Sequence, residues 1–207
     1  MNAIQAHGEL LALKRPVLET REAATRLRTS SSNATHMLRA SERAGLVRHL
    51  RHGLWAMDPN VDPRVVAPYL TAPYPAYVSF WSALAQHDMI EQIPGQISVA
   101  SLDRTRQIRT SVGDYSIHHL APAIFGGFTG SPNDGYIASP EKALFDTVYI
   151  RAPRGEPAYF PEITLPDGFD RVELDTWVRQ IPAARMRTLV ARGLERVLEQ
   201  ASLDLSY

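Results

Sequence analysis

Lys142 and Asp146 stand four residues apart in SPEKALFDTVYI, a spacing that brings two side chains to one face of a helix. The plain chemistry of such a pair is an exposed i,i+4 ion pair, worth a few tenths of a kcal/mol. The sharper chemistry is phosphoryl transfer. Lys142 would neutralise phosphate charge, and Asp146 or nearby Asp134 would hold a metal or orient a hydroxyl. That reading calls for ATP and Mg; the plain one calls for no cofactor. Gly126-Gly127-Phe128-Thr129-Gly130-Ser131 is either a glycine turn or a loop lying over phosphates. It is not a P-loop, because no Gly-Lys-Ser/Thr follows it, and the protein-kinase signatures are missing too. His118 and His119 are consecutive on an expected strand, so their rings face opposite sides. They do not make a two-histidine metal site, and no metal site is read elsewhere.

A second group is basic and rich in hydroxyls. From Thr20 to Arg51 there are seven Arg against two Glu, a balance of +5 in a chain whose total is zero. Clustered basic side chains are the footprint of phosphate binding. Ser31, Ser32, Asn33, Thr35 and His36 open an expected helix that also carries Arg39 and Arg43. Helix N-terminal residues of these types can meet base edges in a DNA groove. Arg28 precedes that helix, and Arg48, Arg51 and His52 belong to a following hairpin, from which they would reach the DNA backbone or minor groove. The simpler alternative is a small helical unit with a solvated basic face.

The elements that would position these residues follow from punctuation and period. Asn2–Leu13 is an expected first helix, stopped near Pro16. Glu22–Arg28 is a short amphipathic run, opened by Thr20 or Arg21 and broken by Thr29-Ser30-Ser31-Ser32. Asn33–Ala44 is the next helix, closed by Gly45. Leu46–Met57 alternates around Arg51-His52-Gly53 as a β-hairpin. Helix, polar turn, helix and hairpin in that order read as a winged helix-turn-helix over residues 1–58. Asp58–Pro63 is the expected linker to a second unit, residues 59–207.

In the second unit Val65–Tyr77 is interrupted by prolines, and Tyr77–Asp88 reads as one helix. Ile97–Leu102, Thr105–Ser111 and Tyr115–Leu120 have the period of strands, Ala123–Thr129 is another candidate, and Gly135–Ala138 a short one. Ser139-Pro140 starts a helix that runs to Tyr149. Arg151–Asp170 reads as a long loop, and Glu173–Gln180 and Ala183–Ala201 as closing helices. The fold class is α+β: an N-terminal winged helix-turn-helix, then a mixed α/β body with a mainly antiparallel sheet and C-terminal helices.

Composition sets outer bounds. The 207 residues suit one large domain or two small ones, and 44% apolar content is ordinary for a globular chain. Without Cys there is no disulfide scaffold, thiol nucleophile or zinc–thiolate site. No secretion signal and no membrane span is read, so a cytoplasmic protein is expected. Met1–Asp58 carries +4 and Pro59–Tyr207 carries −4. A basic head and an acidic body suggest separate partners.

Two stretches of the body, SFWSALAQHDMI (Ser79–Ile90) and YIASPEKALFDTVYI (Tyr136–Ile150), together with the head, resemble the AbiEi antitoxin family. Strands ending in Ile117-His118-His119 lie between them, in the order the family shows. Asp88 departs from the Gly that many relatives carry after the histidine. The resemblance spans Ala6 to Ile150 and leaves the C-terminal helices outside it. It implies an antitoxin from a two-gene operon, with a winged domain that represses the operon at inverted repeats. The body, as an antitoxin domain, would counteract a cognate toxin that is a nucleotidyltransferase. Neutralisation without contact, by direct complex, or by modification of the toxin all stay open, the last making the body an atypical protein kinase. A ligand-responsive transcriptional regulator is the alternative from another class. Oligomeric state is open too: a palindromic operator asks for two winged units about one helical turn apart.

Overall fold

A computed structural model of the chain describes residues 2–154, 160 and 162–204. It is a mixed α and β fold with helices closing its C-terminal part. Helix α1 (Ala3–Leu11) starts at Asn2, whose side chain accepts from the Gln5 N–H at 2.8 Å while Gln5 accepts from the Asn2 N–H at 3.1 Å. Strand β1 (Val17–Glu19), helices α2 (Thr20–Arg26) and α3 (Ser31–Arg43), and strands β2 (Arg48–Arg51) and β3 (Leu54–Ala56) follow. The strands form an antiparallel sheet in the order β1-β3-β2.

This small sheet is buried on both faces, and the two-residue period of its strands shows how. Leu18 and Trp55 face Leu10, Ala23 and Leu38 of the three helices. Val17, Leu50, Leu54 and Ala56 face the other way, onto α4 (Pro63–Thr71). That helix lies in the stretch expected to be broken by prolines. Pro63 occupies its first turn, where the missing N–H costs nothing, and Asp62 caps it by accepting from the Arg64 N–H at 2.8 Å. Pro68 sits inside the helix and is tolerated there. Asp58–Val61, part of the expected linker, is a tight turn in which Asp58 accepts from the Asn60 N–H at 2.8 Å. Val61, Val65, Val66 and Leu70 pack in one cluster with the head strands and with Val99, Ile108, Tyr115 and Ile117 of the body. One core therefore runs across the expected boundary.

The body sheet comprises β4 (Ala76–Val78), β5 (Ile97–Ser101), β6 (Arg106–Thr110), β7 (Gly113–His119), β8 (Phe128–Ser131) and β9 (Gly135–Ala138). Its order is β6-β7-β5-β4-β9-β8, with β5–β7 and β4–β9 parallel and the other pairs antiparallel. Helix α5 (Phe80–Gln86) covers less than the helix expected over Tyr77–Asp88. Tyr77 and Val78 pair with Ala100 and Val99 in β4 instead, and the chain turns at Phe80, whose φ is 55°. The strand expected at Ala123–Thr129 begins only at Phe128, after a 3₁₀ turn at Pro122–Ile124.

Helices α6 (Pro140–Arg151), α7 (Arg171–Arg179) and α8 (Ala184–Asp204) complete the fold. Helix α6 is central: every residue from Glu141 to Val148 is buried. It meets α8 so closely that a Cβ on Gly193 would lie 2.7 Å from Val148 Cγ1. Residues 155–159 and 161 of the expected Arg151–Asp170 loop lie outside the described residues, and 162–170 carries no helix or strand. No helix among the described residues is long and apolar enough to cross a membrane.

Candidate nucleic-acid interface and a buried ion pair

Helix α2 ends at Leu27, and Arg28 turns the chain with φ 51°. Ser30 then caps α3, its hydroxyl accepting from the Asn33 N–H at 3.2 Å. The cap falls one residue before Ser31 and Ser32, so both enter the first turn of the helix and stay exposed. Ala34, Leu38 and Ser41 point inward. Asn33, His36, Arg39 and Arg43 are left in solvent, with Thr35 half-buried. A cleft of about 450 Å³ separates Ser31, Ser32, Thr35 and Arg39 from His49 and His52 of the hairpin. Its floor includes Trp55, whose indole N–H donates to Thr20 Oγ1 at 3.0 Å.

The basic residues of this unit have different fates. Arg39 donates to Glu42 at 3.1 Å and lies over the Trp55 ring at 5.2 Å, which holds it at the cleft wall. Glu42 also accepts from the His49 N–H at 2.9 Å, tying α3 to β2. The His49 ring packs against Trp55 with ring centres 4.5 Å apart and the planes tilted by 52°. Burial, with Arg39 beside it, holds His49 below the ordinary imidazole value. Arg21 pairs with Glu19, and Arg26 with Glu9 at 2.7 Å. Among the described residues Arg28, Arg43 and Arg51 are exposed and carry no ion pair. Arg48 departs from the expectation of a DNA-facing cation. Its guanidinium turns to the body and donates to Ser111 O at 2.7 Å, so its donors are engaged within the protein.

Lys142 and Asp146 do meet, but not on the surface. Both side chains are 0% exposed. One Asp146 oxygen takes the Lys142 ammonium; the other accepts from Ser79 Oγ at 2.7 Å and Tyr77 Oη at 3.2 Å. Ser79, at the cap position of α5, gives its hydroxyl to Asp146 rather than to that helix. The ammonium lies 4.9 Å from the Phe145 ring centre and 4.8 Å from that of Trp177. Burial pulls Lys142 down and pushes Asp146 up from their ordinary values, and each is opposed by the other's charge. The two hydroxyl donors favour the carboxylate and hence the ion pair.

The glycine stretch closes this pocket. Gly127 has φ 68°, and a Cβ there would lie 2.6 Å from Trp177 Cζ2 and 3.0 Å from Lys142 Cγ. Its carbonyl accepts from the Ser139 N–H at 2.8 Å, fixing it to the start of α6. The rest of the stretch is strand β8, not a loop over phosphates. Asp134 is exposed in the β8–β9 turn, accepting from Ser131 Oγ at 2.6 Å, and is not a partner of the pair. These residues do not fit ATP and Mg. Lys142 and Asp146 are sealed, and both Asp146 oxygens are used within the protein.

No family model matches this chain, and no curated protein matches it.

Sequence reasoning missed parts of both places. Thr20, Arg21 and Trp55 line the cleft beside the expected Ser31, Ser32, Thr35 and Arg39, although nothing in the sequence marked them as part of it. His87 ends α5, and its Nε2 donates to Ala138 O at 2.7 Å, latching α5 to β9. Of the consecutive histidines, His118 is half-buried against Phe80 at 4.7 Å and His119 is exposed, on opposite sides as their spacing requires.

Proposed function

We propose that this chain binds double-stranded DNA through residues 1–58, arranged as a winged helix-turn-helix with α3 as the reading helix and the β2–β3 hairpin as the wing. The observation that carries this is the exposed first turn of α3: Ser31 and Ser32 line a cleft beside the hairpin, and Asn33 stands exposed next to them. Hydroxyl and amide side chains there suit base edges, while the exposed Arg28 before the helix, Arg43 at its C-terminal end and Arg51 in the hairpin suit phosphates. Arg39 and His36 stand on the same face.

With the resemblance of Ser79–Ile90 and Tyr136–Ile150, the fuller proposal is an autorepressing cytoplasmic antitoxin whose body counteracts a nucleotidyltransferase toxin. The sealed Lys142–Asp146 pair gives a phosphate-transferring reading no open site, so the favoured route of neutralisation is through the body's surface.

Mobility shifts test the first part. Arg43→Ala should weaken binding to every duplex and lower the salt slope by about one. Asn33→Ala should change which sequence is preferred, by about 1–3 kcal/mol at one base pair. If neither substitution alters binding, α3 is not the reading helix. Mixing the chain with its neighbouring toxin, with and without ATP and Mg, tests the second part. A stable complex of unchanged masses supports it, and a phosphate gain on the toxin would reverse the choice of route.

A further inference from the structure

Strand β2 is one of the two outer strands of the head sheet, so its free edge carries backbone groups unpaired by any strand of that sheet. The body covers part of that edge with one residue. In the β6–β7 turn, the Ser111 N–H donates to Leu50 O at 2.9 Å and its hydroxyl donates to His49 O at 2.6 Å. Arg48 closes the arrangement by donating to Ser111 O at 2.7 Å. The strand register breaks between His49 and Arg51, so these bonds fall at the one irregular place in the hairpin. Leu50, at that break, is 2% exposed and sits in the core that head and body share. The hairpin tip, Arg51-His52-Gly53, starts immediately beyond it.

We infer that Arg48 and Ser111 are positioning residues for DNA recognition: the body's β6–β7 turn holds the hairpin at its bulge, so that its tip stands opposite the first turn of α3. The inference rests on the DNA-binding reading above. Arg48 acts through the hairpin and does not touch DNA. Ser111, in the body, shapes the interface from outside it. A hairpin released at the bulge swings relative to α3, which costs the specific complex its alignment. Non-specific phosphate contacts from Arg28 and Arg43 survive.

The test uses the full chain and two labelled duplexes of equal length, followed by fluorescence anisotropy. One duplex is enriched from a random-sequence pool by the unaltered chain, and the other is unrelated to it. Arg48→Met and Ser111→Ala should each weaken the enriched duplex about three- to tenfold, as loss of a hydrogen bond predicts. Binding to the unrelated duplex and the salt slope should stay as they were. The double variant should lose more than either single one, up to the sum of the two, because Arg48→Met removes the bond to Ser111 O and Ser111→Ala the separate bond to His49 O. Ser111→Thr, which keeps the hydroxyl, should restore binding. A lower salt slope in Arg48→Met with Ser111→Ala silent would make Arg48 a phosphate contact and overturn the inference. Silence of both variants, while Arg43→Ala loses binding, would overturn it too. If Arg48→Met does not fold, Ser111→Ala and Ser111→Thr decide between the same outcomes. If the unaltered chain enriches no duplex, the DNA-binding reading falls first and carries this inference with it.

Discussion

Helices α3 and α6 each set a cation among hydroxyl groups, and the two arrangements have opposite characters. Helix α3 buries only Ala34, Leu38 and Ser41, holds Arg39 at the cleft it shares with Ser31 and Ser32, and leaves Arg43 exposed at its C-terminal end. Helix α6 buries Lys142 completely, beside Ser79, Tyr77 and Asp146. The difference lies in what packs around each helix. One flank of α3 is exposed among the described residues, whereas α6 meets α5, α7 and α8. A charged group on an open flank is available to a partner. The same group inside a saturated pocket organises the fold, and removing its counter-charge leaves a buried ion unpaired.

The sharpest way to break this comparison is Lys142→Ala. If the pair is scaffold, the variant should lose about 3–5 kcal/mol of stability in urea unfolding. The fraction still folded should bind DNA like the unaltered chain. Intact stability would show that the fold does not depend on the pair. Arg43→Ala is the mirror experiment. It should leave stability within about 0.5 kcal/mol while DNA affinity falls, because an exposed arginine without an ion pair supports no core.

His49 gives the smallest effect and sharpens the head's side of the comparison. Its folded value lies below the ordinary 6.5, so the unfolded chain takes up the proton first as pH falls. The stability it contributes is complete above pH 6.5 and is lost as pH drops through the lowered folded value. His49→Gln should flatten that part of a profile of Tm against pH. An unchanged profile would place the titration elsewhere.

Features with local causes were legible in the sequence. The Ser139-Pro140 start of α6, the hairpin turn at His52-Gly53 and strands β5, β6 and β7 all carry their signals within a few residues. Features set by distant partners were not. Strands β1 and β4 are three residues each and exist because β3 and β5 lie beside them. Helix α4 survives its prolines because Pro63 falls where no N–H is needed and the apolar side chains on either side of Pro68 are buried. Of the expected site residues, those on α3 reach one open face, since helical spacing alone puts them there. Arg48 does not join them, because its partner Ser111 is 63 residues away. Lys142 and Asp146 meet as their spacing requires. Their burial depends on Tyr77, Ser79 and Trp177, which no local pattern connects to them.

The most direct test of the account is amide hydrogen exchange on the full chain, with and without the enriched duplex. Protection should appear at the start of α3, from Ser31 to Thr35, and at His52-Gly53. Helix α6 should exchange slowly in both states and change little. Protection confined to the body, with α3 and the hairpin tip unaffected, would contradict the assignment of the open face to DNA.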